Sequence, residues 1–337
     1  MTDRPKLTIK APPVLFSATQ KIVRRIQQRL QIPFLSYWNS PDGSICQNDV
    51  VGFYEILRGL SRQKRIALFV KSDGGSGQAS LRIVHLLRQF TDKLSVLVPL
   101  NCISAGTMLA LGADEILMGP MAYLSAVDTS IRHDLSPVDV DNSRVLVSQD
   151  ELTRVVNLWR RERARGQDAT NPYHALYSYV HPLVVGAVDR ASSLSIKLCE
   201  EIMSYHMPDK KQALHIARTL NSAYPSHAYP ITLKEARRIG LKVHTLEPQL
   251  NELLIELNEL YSEMGQQAVT DFDEENNHHN EILNILERTN VQIYYQTDKD
   301  WHYRKEDRRW VSLNDKSSWR KIERSGGRTR KSIFHIR

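Results

Sequence analysis

At 337 residues, with 41% hydrophobic and 25% charged side chains, the chain can bury a full core and leave material for a second unit, which excludes a disordered or low-complexity protein. Three widely spaced cysteines, Cys46, Cys102 and Cys199, form no CxxC pair; this excludes a zinc framework or a disulfide scaffold and fits a reducing, cytoplasmic compartment. The net charge of +7 is uneven: residues 299–337 hold 13 Lys or Arg against 5 Asp or Glu, so the body is close to neutral and the basicity is C-terminal.

The N-terminal stretch has no apolar run of signal-peptide or membrane-span length. Residues 15–30 read as an amphipathic helix with a basic face, expected to dock on the body. Residues 34–38 read as a short strand. Residues 49–60 carry Val50, Phe53, Ile56, Leu57 and Leu60 at helical spacing. Strand 65–70 (RIALFV) precedes helix 78–90, and strand 94–100 (LSVLVPL) precedes a small-residue helix at 105–112. Short strands follow at 115–118 and 122–127. This βαβαβαβ order predicts a largely parallel sheet with packed helices, with ligands bound beyond the carboxyl ends of its strands.

Residues 148–218 read as mostly helical, with a long helix from about 186 to 205. A short helix at 232–240 ends on Gly240; a strand at 241–245 and an amphipathic helix at 248–264 follow. The acidic stretch 271–280 reads as a linker. Residues 290–323 alternate aromatic and polar side chains, as in a small antiparallel unit, and a basic tail ends the chain. The expected division is an N-terminal docking segment (1–33), a main domain (34–264), an acidic linker or helix (265–289) and a small basic β-rich unit (290–337).

Two turns carry the chemistry. Ser72-Asp73-Gly74-Gly75-Ser76-Gly77 follows one apolar strand, and its glycines let bare backbone approach a ligand. Ser104 follows the next strand, at the start of a helix whose first N–H groups are free. Both turns sit at strand ends, so they should be neighbours. A displayed serine beside amide donors is the minimum set for acyl transfer. Ser104 is also a good helix N-cap, which alone would explain it. Cys102 reads as a buried strand-end cysteine.

The segments SDGGSGQA, SAGTMLALGADEILMGPMAYLSAVD and SHAYPITLKEARRIGLKV resemble the serine dehydrogenase proteinase family, Clp-fold serine peptidases of the Clp/crotonase superfamily related to signal peptide peptidases. The resemblance spans roughly residues 34–246. It implies an α/β fold of repeated ββα units in a Clp/crotonase-like spiral. It makes Ser104 the nucleophile, with Gly74, Gly75 and Ala105 as backbone donors to an oxyanion. It also implies a peptide or protein substrate, a homo-oligomer, and no cofactor or metal.

The general base stays open among several residues. Asp128 lies near where related Clp proteases carry their histidine. His227, in SHAYPI, could fold back to the site. Lys197 sits among apolar neighbours on the long helix, where a desolvated lysine can act as a base. His133 and His181 are further candidates. His278 and His279, among acidic residues, read as a solvated linker rather than a metal site.

The expected function is therefore serine-type endopeptidase chemistry through an acyl-enzyme on Ser104. One alternative is an inactive Clp-fold scaffold that binds a polyanion, nucleic acid or protein through the basic C-terminal unit. Another is a crotonase-like acyl-CoA enzyme, which uses paired amides on a thioester oxygen.

Overall fold

A computed structural model describes residues 8–140, 143–164 and 171–336. Parts of the expected docking segment (1–7) and of the expected helical stretch (165–170) lie outside the described residues.

Helix α1 (Phe16–Leu30) leads into strand β1 (Phe34–Asn39) and helix α2 (Gln47–Leu57). Strand β2 (Gln63–Lys71) and helix α3 (Gly77–Phe90) form the next unit. Strand β3 (Thr91–Val98), the two-residue β4 (Asn101–Cys102) and helix α4 (Ala105–Leu111) form the third. Short strands β5 (Glu115–Met118), β6 (Tyr123–Leu124), β7 (Ser130–Ile131) and β8 (Val147–Ser148) come next. A helical layer follows: α5 (Gln149–Ala164), α6 (Pro172–Leu176), α7 (Pro182–Met203), α8 (Lys210–Ser222) and α9 (Leu233–Arg238). Strand β9 (Val243–Thr245) and helix α10 (Pro248–Met264) complete the α/β part.

Strands β1, β2, β3, β5 and β9 pair parallel in that order. Residues 66–70 of β2 are all buried, as a strand covered on both faces requires. One core joins β1–β5 to α2, α3, α4, α7 and α8; a second lies on the other face under α1 and α10. Helix starts are capped as their sequences allow. Ser76 Oγ accepts the Ala79 N–H at 3.2 Å at the start of α3, and Asp209 caps α8.

The C-terminal region corrects the expected linker. Residues 265–289 hold strands β10 (Ala268–Asp271) and β11 (Asn276–Arg288), and β11 pairs antiparallel with β1. Strands β12 (Val291–Arg304), β13 (Arg309–Asp315), β14 (Ser318–Ser325) and β15 (Arg328–Phe334) continue the same sheet. The basic tail is thus mostly strand. Trp319 is buried in the main core beside Tyr295, whereas Trp310 is 44% exposed. The run of Asn, His and acidic residues hides the strand. Its apolar residues, Ile282, Ile285 and Leu286 among them, begin only at its far end, and several of its polar residues find partners across the ladder. His278 Nδ1, for example, lies 2.8 Å from Asp300 Oδ1.

One buried carboxylate ties this extension to the body. Glu287 on β11 accepts from Thr19 Oγ1 (2.8 Å), Gln20 Nε2 (2.7 Å), Tyr261 OH (2.7 Å) and Gln292 Nε2 (2.8 Å). These come from α1, α10 and β12. Burial raises its carboxyl above the ordinary range, and the four donors pull it back.

Glu281 lies buried near Asp42, and Ser40 Oγ donates to it at 3.3 Å. Burial first, and Asp42 next, push its carboxyl from the ordinary 4.5 up to about 7. The fold therefore favours its neutral form. That contribution to stability is complete below about pH 4.5 and lost as pH rises through about 7. Denaturant titration should find Glu281→Gln more stable than the parent at pH 8, by on the order of 1 kcal/mol, with the gap closing towards pH 4.5. An equal difference at both pH values would refute this.

Candidate active site

The β2–β3 ladder runs on past both strands. Ser72 N–H donates to Asn101 O (3.2 Å), and Ile103 N–H donates to Ser72 O (3.0 Å). This bridge holds the Ser72–Gly77 turn against Ser104, as the strand order predicts. The approach is close: a Cβ on Gly74 would lie 2.7 Å from Ser104 Cβ. Gly74 and Gly75 have φ of 113° and 135°, a region that favours glycine.

Residues 45 and 75 interlock. Ile45 N–H donates to Gly74 O and Ser76 N–H donates to Ile45 O, both at 2.8 Å. A Cβ on Gly75 would meet Ile45 O at 2.4 Å. The Gly75 N–H, between these two bonds, has no acceptor among the described residues, and neither has the Ala105 N–H. The Gly74 N–H does: Ser72 Oγ accepts it at 3.1 Å. Gly74 therefore provides clearance beside Ser104, while the free donors are Gly75 and Ala105.

Ser104 has φ 54° and ψ −120°, a strained backbone for a residue with a side chain. Its N–H donates to Ser125 Oγ at 2.8 Å, and Ser125 N–H donates to Thr107 Oγ1 at 3.0 Å. Sequence reading missed Ser125; the signal was a serine inside the otherwise apolar run AYLSAV. Ser104 Oγ makes no hydrogen bond among the described residues and lines a cleft of about 520 Å³.

Asp128 and His227, 99 residues apart, meet at this cleft. His227 Nδ1 lies 2.7 Å from Asp128 Oδ1. Val127 is fixed on both sides of its peptide: its N–H donates to Leu220 O (2.9 Å) and its carbonyl accepts from Ser195 Oγ (2.6 Å). The His227 loop is tied to the same segment by the Leu124–Ile231 bridge, and the stacked rings of Tyr224 and Tyr229 brace the loop internally. The hydrogen bond to Asp128 raises the His227 pKa above 6.5, against partial burial, which lowers it. With Asp128 ionised, Nδ1 carries the proton and Nε2 is the basic nitrogen.

Residues 45–143 match the family of ClpP-like SDH-type serine proteinases. The matched segment contains the glycine turn, Ser104 and Asp128, while His227 lies outside it. Two uncharacterised proteins of Methanocaldococcus jannaschii are similar. MJ1495 is 27% identical over 60% of this chain and 61% of its own length; MJ0137 is 25% identical over 64% and 66%. The chain thus spans less than two thirds of each relative. Two solved structures of the membrane-bound stomatin-specific protease 1510-N, both mutants and one with a substrate peptide, are 16% identical. Their TM-scores are 0.37 and 0.35, covering 67% and 62% of this chain and 83% and 74% of theirs.

The other candidate residues lie apart from the cleft. Lys197 pairs with Glu201 at 2.7 Å on an exposed face of α7, and that pairing raises its pKa, away from a neutral base. His181 Nδ1 accepts the Leu183 N–H and caps α7; His133 Nδ1 accepts the Leu135 N–H. Cys102 is buried and its thiol is pushed up by desolvation, which disfavours a thiolate. Among the described residues no group of three or more His, Cys, Asp or Glu is placed to hold a metal ion, and no helix is long and apolar enough to cross a membrane.

Titration of the His227 imidazole by NMR should give a midpoint above 6.5. In Asp128→Asn the midpoint should fall, because the replaced carboxylate is the main stabiliser of the imidazolium. An unchanged midpoint would separate the two residues.

Proposed function

We propose that the chain is a serine-type endopeptidase in which Ser104, His227 and Asp128 act together. The observation that carries the reading is the convergence of Ser104, the Asp128–His227 pair and two free amides on one cleft. Ser104 Oγ attacks a peptide carbonyl carbon and passes its proton to His227 Nε2. The carbonyl oxygen becomes an oxyanion facing the Gly75 and Ala105 N–H groups, with the positive end of α4 behind it. His227 returns the proton to the departing amine, the C–N bond breaks, and an ester on Ser104 remains. Water, deprotonated by His227, releases the acid and restores the serine. Asp128 holds the imidazole orientation and balances its charge.

Ser125 supports this reading by occupying the nucleophile's own N–H. That bond fixes the positive φ that displays Ser104. The homo-oligomer implied by the resemblance is part of the proposal. Large apolar side chains exposed between residues 135 and 183, such as Val140 (98%) and Tyr179 (80%), support an assembly surface there. The basic C-terminal strands pair much of their charge with carboxylates of the chain, including Lys299–Asp315, Arg320–Asp298 and Lys321–Glu55. This favours a structural part of the sheet over a polyanion-binding unit.

Fluorophosphonate labelling of the purified chain tests the nucleophile. Labelling should occur and vanish in Ser104→Ala. His227→Ala should slow it about 100- to 10,000-fold, and the wild-type rate should rise with pH, with its midpoint above 6.5 because neutral His227 is the active form. Absence of labelling in the folded protein would sink the proposal.

Gly75→Ala separates the amide from the serine. Strain at φ 135° and the clash with Ile45 O should displace the turn. Peptide hydrolysis should fall on the order of 100- to 1000-fold, the cost of one oxyanion donor. A variant with unchanged hydrolysis would remove Gly75 from the mechanism.

A further inference from the structure

The large sheet ends on β15, whose far side has no neighbouring strand among the described residues. Every second residue of such a strand turns its N–H and C=O outward, unpaired. The sheet's other open strands are blunted in ordinary ways. Strand β9 has three residues and β10 has four, and the register of β13 with β12 shifts between Lys299 and Trp301. Strand β15 has none of these devices. Its register with β14 runs unbroken from Arg328 opposite Ser325 to Phe334 opposite Trp319, and it contains neither proline nor glycine.

What guards this edge is charge. Residues 328–333 are all exposed. Unlike Lys299, Arg320 and Lys321, the side chains of Arg328, Arg330 and Lys331 make no ion pair among the described residues. Glu323 stands opposite Arg330 but gives its carboxylate to Lys321, at 3.0 Å. Arg328 and Arg330 share the face of Trp319, and Lys331 lies on the other face with Ile322. Such cations repel a second copy of β15, because like charges would meet across the new pair. They do not repel an acidic strand. The split between two faces also argues for a strand over a nucleic acid: a phosphate backbone lying on one face meets only part of the set, whereas the side chains of an added strand alternate between both.

We infer that the open edge of β15 takes up one extended, acidic segment of a partner protein as a further strand of the sheet. Main-chain hydrogen bonds hold the segment, and its carboxylates meet Arg328 and Arg330 on one face and Lys331 on the other. The inference does not depend on the Ser104 reading.

The test is fluorescence anisotropy of the full chain with a dye-labelled peptide, Thr-Glu-Val-Glu-Glu-Val-Glu-Thr, which presents the spacing of the three cations in either strand direction. The peptide should bind, more weakly as salt rises. The same peptide N-methylated along both edges keeps its charge but loses its donors, and its Kd should rise about 10-fold or more. Arg328→Glu, Arg330→Glu and Lys331→Glu together should weaken the Glu peptide about 10-fold or more and confer binding of its Lys counterpart. The single Arg330→Glu variant should move both affinities the same way by a smaller factor, which keeps the test open if the triple variant does not fold. Equal binding of the N-methylated peptide overturns strand addition. A thymidine oligonucleotide of equal charge that binds as tightly as the Glu peptide makes the edge a polyanion surface and overturns the inference. So does a folded chain that does not bind the Glu peptide.

Discussion

The site depends on one steric constraint: two backbone turns must touch, and only residues without a Cβ allow it. The parallel ladder between β2 and β3 carries on through Ser72 and Cys102. It delivers Gly74 against Ser104 Cβ and Gly75 against the Ile45 carbonyl. Any side chain at either glycine would push the turn away and take the amide with it. Because Ile45 fills the acceptor and donor on either side of Gly75, the Gly75 N–H is left pointing away from that strand. A free amide beside Ser104 is thus a by-product of strand pairing. Preorganised donors of this kind need no rearrangement as charge develops, which is why they are effective.

The charge arrangement has a different origin. Asp128 and His227 are brought together by helix packing and a single antiparallel bridge, across 99 residues of chain. Their coupling is local and strong enough to overcome the desolvation that would otherwise depress the imidazole. The consequence is an imidazole more basic than that of a free histidine and oriented by its partner. The histidine is the more exposed of the two and the aspartate the more buried (44% and 15% side-chain exposure). The carboxylate is thereby fixed while the imidazole keeps access to the cleft.

The placement of the strand ends was legible in the sequence, because it is local. Alternating strands and helices placed both turns at the carboxyl ends of β2 and β3, and the glycine spacing marked where backbone would be bare. Residues 248–264 were readable as α10 from their spacing alone. The pairing of His227 with Asp128 was not readable, since nothing local distinguishes His227 from His133 or His181; only the tertiary fold shows that the latter two bind neighbouring amides. Gly74 could not be separated from Gly75 without knowing that Ser72 Oγ takes its N–H. The C-terminal sheet was hidden for another reason. Several polar residues in β11 are satisfied across strands, His278 by Asp300 and Asn280 by Gln296, so an Asn- and His-rich stretch with two buried carboxylates, Glu281 and Glu287, reads as solvated chain until its partners are known.

That hidden sheet is not remote from the chemistry. Strand β11 borders β1 and reaches the loop that follows it: Ser40 N–H donates to Leu283 O at 2.8 Å, and Asn284 Nδ2 donates to Ser44 O at 2.9 Å. Gly43 sits so close that a Cβ would meet Leu283 O at 2.3 Å. Asn284 also reaches Asp49, the buried residue that accepts the Cys46 N–H and the Tyr37 hydroxyl proton. Between these anchors lies Ile45, whose backbone holds the Gly74–Ser76 turn. The antiparallel extension therefore braces, through one short loop, the segment that presents the Gly75 amide. A strand outside the segment matched to the proteinase family thus shares in holding the Gly75 amide, and the two halves of the sheet work as one support.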